Sequence, residues 1–186
     1  MRTARILRRE IPPPMSGTRG YEKAREHLRL DFAQRCAYCG VHESHHGVEN
    51  FEIDHFMPVS RGGGISDYVN LYWACAGCNS FKSNKWPSDI LVQRGIRFID
   101  PCDETEFPTH FAEDDGGVLI ANTTAGGYHV DSIRLNRRAR VHLRQSRTQL
   151  IIRYSQARSL LKAMRDDVKN SPEGRYIVEA LEDVMR

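Results

Sequence analysis

No stretch of the 186 residues approaches the roughly 18 consecutive apolar side chains that a membrane-spanning helix requires, so a helical membrane protein is excluded. The basic N-terminus runs into Ile11-Pro12-Pro13-Pro14 without the apolar core of a secretory signal, and the expectation is a cytoplasmic chain. There is no internal repeat and no low-complexity segment. Cysteine is sparse: five residues in a reducing compartment argue against a disulfide framework and towards metal binding for those paired by spacing. Charge is missing by sign. Residues 98 to 133 contain eight acidic groups and no Lys or Arg, whereas residues 134 to 165 contain ten Lys or Arg and no acid, all behind a net charge of only +3. A basic block of that kind suits a phosphate-rich partner, and a solvated helix face or a docking surface for the acidic block accounts for it equally.

The chain is long enough for one modest core, or a small module with an appendage. Residues 1–20 read as a basic arm broken by prolines. In the stretch that follows, Ala24, Leu28 and Phe32 have helical spacing, with an end expected near Cys36. From there to Pro87 the segments are short and punctuated by Gly, Asn and Cys. "GVLIANTTAGGYHV" has the look of a hairpin about Gly126 and Gly127. Gly and Pro are absent from Asn136 to Arg165, where Leu143, Leu150, Tyr154, Ala157, Leu161 and Met164 form one stripe of a long helix. A shorter helix, "EGRYIVEALEDVM", follows. The expected parts are an arm (1–20), a module with a flanking helix (21–98) and an extension holding an acidic hairpin segment and a basic helix (99–186).

What is present is concentrated between Cys36 and Lys85. Cys36-Ala37-Tyr38-Cys39 and Cys75-Ala76-Gly77-Cys78 are two knuckles that can offer four thiolates to a structural Zn²⁺. Chance pairs or a thioredoxin-like redox site are the plainer alternatives; two pairs in one small chain favour zinc. Cys102 has no partner by spacing. The segment between the knuckles holds Asp54, His55 and Asn70. Asp54 and Asn79 are hard oxygen donors suited to Mg²⁺ or Mn²⁺, which leaves His55 to take a proton from an attacking water. Neighbours on a strand face opposite ways, so the strand is expected to end or bulge at His55. His42, His45 and His46 read as a polar loop.

The order Cys-x-x-Cys, "IDHFMPVSRGG", Asn70-Leu71, "CAGCNSFK" resembles the HNH endonucleases, the ββα-metal nucleases, over residues 36 to 85. The resemblance implies an α+β fold: a small zinc-stapled ββα-metal module flanked by helices, with a long C-terminal helix. It implies His55 as general base, Asn70 as the residue that holds the catalytic loop, Asp54 and Asn79 as ligands of a catalytic Mg²⁺ or Mn²⁺, and Cys36, Cys39, Cys75 and Cys78 as ligands of one structural zinc. The family's last position, often His, is Asn79 here. Arg61 and Lys82, with Arg137, Arg138, Arg140, Arg144 and Arg147 of the basic block, are the candidate phosphate contacts. The expected activity is hydrolysis of DNA, double-stranded above all. Short patterns beyond residue 98, "IDP", "DGG" and "LNRR", resemble stand-alone HNH proteins of bacterial defence, such as the HNH subunits that accompany ATPases in Septu-like and retron-associated systems. An ATPase partner and a defence or restriction role are the corresponding expectations. A non-catalytic zinc-binding module that recognises nucleic acid or a partner is the alternative.

Overall fold

The computed structural model describes residues 6–17, 19–102, 109–164 and 166–185. Positions 1–5 of the basic arm, positions 103–108 of the acidic block and Arg165 lie outside the described residues. The chain divides into two compact units, 1–141 and 142–186.

In the first unit, a 3₁₀ turn at Gly20–Ala24 leads into α1 (Arg25–Asp31), and Ala24, Leu28 and Phe32 are fully buried, as their four-residue spacing predicts. The first knuckle follows. Its Cys36 N–H donates to the Val41 carbonyl (2.9 Å), Gly40 turns the chain at φ +69°, and the Ala37 N–H donates to the Trp73 carbonyl (2.8 Å), tethering the knuckle to the sheet. Strands β1 (Phe51–His55) and β2 (Leu71–Cys75) pair antiparallel, with Phe51 opposite Cys75 and His55 opposite Leu71. β2 is buried along its whole length, and Trp73 stacks on Phe51 at 5.5 Å between ring centroids. Helix α2 (Ala76–Lys82) starts directly after β2 and packs on both strands, completing a ββα unit.

The expected basic arm is partly internal. The Arg8 guanidinium donates to the carbonyls of Tyr68 (2.7 Å) and Leu71 (2.9 Å) and to the Cys102 sulfur (3.3 Å), lying over the Tyr72 ring. Arg9 pairs with Asp31, which also accepts from the Tyr68 hydroxyl. Beyond α3 (Asp89–Gln93), the short hairpin of β3 (Phe111–Glu113) and β4 (Leu119–Ala121) turns at Asp114–Val118, with Asp114 accepting from the Val118 and Gly117 N–H groups. The hairpin therefore lies earlier than expected. Gly126 and Gly127 belong instead to α4 (Thr124–Ile133), where the Thr123 hydroxyl accepts from the Gly126 N–H (3.0 Å) as an N-cap. A side chain at Gly126 would strike the His110 carbonyl, so that glycine serves the close approach of helix to hairpin rather than a turn.

Helix α5 (Arg138–Ala163) is the long basic helix, and it runs from the first unit into the second, where α6 (Asp166–Lys169) and α7 (Pro172–Met185) follow. Its expected apolar stripe is only partly covered: Ala157 is buried, while Leu150 and Tyr154 are exposed. Among the described residues, no helix is long and apolar enough to cross a membrane.

Candidate active site and zinc centre

Two knuckles bring Cys36, Cys39, Cys75 and Cys78 together, all four sulfurs within 4.8 Å of one another. Cys39 and Cys75 sulfurs are 3.9 Å apart, close to the about 3.8 Å edge of a tetrahedron with Zn–S bonds of about 2.3 Å. Thiols of Cys36, Cys39 and Cys78 hydrogen-bond to the Cys75 sulfur and hold it far below its ordinary value, while burial pushes the Cys36 thiol up. The donor set fits structural zinc. Among the described residues no second such cluster forms; His42 accepts from the Ser44 N–H, capping a 3₁₀ turn, which is what a polar loop would do.

Between β1 and β2 the chain makes a 15-residue excursion, and Asn70 closes it. Its Oδ1 accepts from the Met57 N–H (2.8 Å), and its Nδ2 donates to the carbonyls of Met57 (3.0 Å) and Gly64 (3.2 Å). Gly63 lies so close that an added Cβ would collide with the Met57 carbonyl, so the loop is folded tightly on itself. At its start stands His55, the last residue of β1, as the strand was expected to end. The His55 Nε2 is 2.9 Å from the Ile65 carbonyl. A carbonyl only accepts, so Nε2 donates to it, and in the neutral ring the lone pair is then on Nδ1.

A cleft of about 400 Å³ is lined by Glu52, Asp54, His55, Ser60, Asn79 and Ser83, among others. Asn79 stands one turn into α2, its Nδ2 donating to the exposed Glu52 carboxylate (2.6 Å). Asp54 is buried, paired to the Lys82 ammonium (3.0 Å) and accepting from the Tyr38 hydroxyl. Burial pushes its carboxyl up, offset by the Lys82 charge, while burial pushes the Lys82 ammonium down. Hard oxygen donors from Asp54, Asn79 and Glu52 on one wall suit Mg²⁺ or Mn²⁺ better than zinc. Glu52 and Tyr38 were not singled out in the sequence. Glu52 could have been, since residues i and i+2 of a strand share a face and it stands two before Asp54.

Among the expected phosphate contacts, Arg61 and Arg138 are exposed. Lys82 is a correction: it is fully buried, its Nζ donating to the Asp54 carboxylate and to the His55 carbonyl (2.7 Å), with no surface to offer a phosphate. Arg140 is a correction too, being buried with its guanidinium donating to the Cys75 sulfur (3.3 Å), while the half-buried Arg137 donates to the Cys78 sulfur (3.3 Å). Arg144 is buried as well, which does not suit a phosphate contact.

Residues 36–85 match the family model described as HNH endonuclease. No curated protein and no solved structure gives a significant match. The matched segment begins at the first zinc-knuckle cysteine and ends just past α2, so it spans both strands, the Asn70 loop and the cleft: the chain carries an HNH endonuclease domain at residues 36–85.

Proposed function

We propose that the protein is a metal-dependent endonuclease that hydrolyses DNA phosphodiester bonds with His55 as general base. The observation that carries this reading is the contact of His55 Nε2 with the Ile65 carbonyl (2.9 Å): with Nε2–H committed there, Nδ1 of the neutral ring is left as the proton acceptor at the edge of the cleft. Nδ1 takes the proton of a water that attacks the phosphorus, and Nε2–H to Ile65 keeps the ring from turning as the imidazolium forms. Asn70 holds the loop that supplies that carbonyl. Asp54 and Asn79 would hold a Mg²⁺ or Mn²⁺ ion, with Glu52 beside them, and such an ion would supply positive charge to the scissile phosphate and the departing 3′ oxygen. Arg61, exposed on the loop that rims the cleft, contacts the flanking phosphates. The tail's likeness to stand-alone HNH proteins supports a role in bacterial defence or restriction, with an ATPase as partner.

The test is nicking of supercoiled plasmid with Mg²⁺ or Mn²⁺, for wild type and His55→Ala. Loss of a general base lowers the rate by about 10² to 10⁴ and leaves zinc content and DNA binding unchanged. Undiminished cutting by His55→Ala sinks the general-base assignment. A wild type that binds DNA and cuts neither alone, nor with its ATPase partner, nor on single-stranded DNA or RNA is the non-catalytic zinc module instead.

A further inference from the structure

Four thiolates outweigh the charge of one Zn²⁺, so a Cys₄ centre carries surplus negative charge. Here it does so in a buried place: Cys36, Cys75 and Cys78 are all shielded from water. Buried charge needs compensation and hydrogen bonds from the protein. Two arginines supply both. Arg137 Nη2 donates to Cys78 Sγ and Arg140 Nη2 to Cys75 Sγ, each at 3.3 Å, one guanidinium for each cysteine of the second knuckle.

We propose that Arg137 and Arg140 are built outer partners of the Cys₄ zinc, holding the second knuckle's thiolates by N–H···S hydrogen bonds and fastening the start of the basic helix to the metal centre. Each guanidinium is itself fixed. Arg140 is buried, and its Nη1 donates to His46 Nε2 (2.6 Å). Arg137 Nη1 donates to the carbonyls of Ile133 (3.3 Å) and Arg134 (3.0 Å), and its guanidinium lies over the Phe81 ring. The two side chains stand three residues apart, joined by the Arg140 N–H to the Arg137 carbonyl (2.8 Å), so they reach adjacent sulfurs from one turn. Gly77, inside the knuckle, lies beside the Arg137 guanidinium: a Cβ there would sit 3.4 Å from Nη2, in ordinary contact. Arginine suits the task, since it stays charged when buried and offers several N–H groups in a rigid plane. Arg137 and Arg140 of the basic block thereby serve the zinc centre.

This inference rests on zinc occupancy of the four cysteines and is independent of catalysis. Its test uses the full-length chain and its Arg137→Gln, Arg140→Gln and doubly substituted variants, with Arg137→Lys as a milder change should the glutamines impair folding. Zinc affinity is read by competition with a chromogenic chelator, and thiolate bonding by the charge-transfer bands of the Co²⁺-substituted protein. Loss of an outer-sphere hydrogen bond lowers metal affinity by about 10- to 100-fold. It also leaves the sulfur richer in electron density, moving the Co²⁺ bands to lower energy, a signature that mere loosening of the fold does not produce. His55→Ala changes neither reading. Wild-type affinity and unshifted bands in the variants overturn the proposal. A wild type that takes up no zinc and gives no tetrahedral Co²⁺ spectrum overturns it as well, whatever its plasmid nicking shows.

Discussion

Replacing Asn70 by alanine tests whether the loop between the strands is a catalytic device or only a connection. Three hydrogen bonds disappear: the one Oδ1 accepts from Met57, and the two Nδ2 donates to Met57 and Gly64. At about 1 kcal/mol net for each, the loss is about 3 kcal/mol, a large part of the roughly 5–15 kcal/mol that stabilises a domain. The effect on rate is separate. Ile65, whose carbonyl fixes the His55 ring, directly follows Gly64, so release of the Gly64 carbonyl frees the acceptor of the Nε2 proton. A displacement of about 1 Å at a catalytic group costs on the order of 10²-fold in rate. Asn70→Asp sharpens the comparison, because it keeps the acceptor for the Met57 N–H but turns an oxygen on two carbonyls, and is expected to be at least as damaging. Urea unfolding gives the first quantity, and single-turnover plasmid cleavage at saturating DNA and Mg²⁺ gives the second. Unchanged stability in Asn70→Ala would refute the hydrogen-bond account. Full cleavage despite lost stability would refute the coupling of the loop to His55.

Two further perturbations probe buried charge. His129 is fully buried, and burial, aided by the charges of His110 and Lys82, pushes its pKa down to about 3. The unfolded chain takes up this proton near pH 6.5, so the stability that neutral His129 contributes is complete above that pH and falls as pH drops towards 3, by up to about 1.4 kcal/mol per unit. His129→Leu is expected to flatten urea midpoints measured between pH 7 and 4 relative to wild type, at the cost of the bond accepted from the Ile99 N–H; parallel profiles would dismiss the claim. Lys82→Met strands the Asp54 carboxylate without its cation and is expected to cost roughly 3–5 kcal/mol, much of it recovered in the Asp54→Asn, Lys82→Met double variant. A single variant as stable as wild type in thermal unfolding would show the pair to be idle.

Much of the module was legible because its signals are local. The paired Cys-x-x-Cys spacing, the apolar positions Ala24, Leu28 and Phe32, and the long run without Gly or Pro each report a single element, and each element formed. The misreadings share a different cause. Gly126 and Gly127 look like a turn until Thr123 is seen to cap a helix and His110 to press against it, a contact between residues 16 apart. Lys82 and Arg140 look like phosphate contacts because charge in a sequence is counted without its partners. Lys82 meets Asp54 across 28 positions, and Arg140 meets Cys75 across 65. A cation's work is decided by what the fold sets opposite it, and no pattern of spacing reports that.

The same partnerships explain how a module this small keeps a carboxylate in place. Asp54 sits on a strand of five residues, where burial pushes its carboxyl up and the Lys82 charge and the Tyr38 hydroxyl work against that push. Its two partners come from the two halves of the platform. Tyr38 lies between Cys36 and Cys39, inside the first knuckle, and gives Asp54 its hydroxyl. Lys82 closes α2, the helix that begins inside the second knuckle, and gives Asp54 its ammonium. That ammonium also donates to the His55 carbonyl, so strand end, helix end and both knuckles meet at one carboxylate. The four cysteines therefore do more than close a loop: joined through one ion, they would fix the distance between Tyr38 and Lys82, and with it the position from which Asp54 faces the cleft.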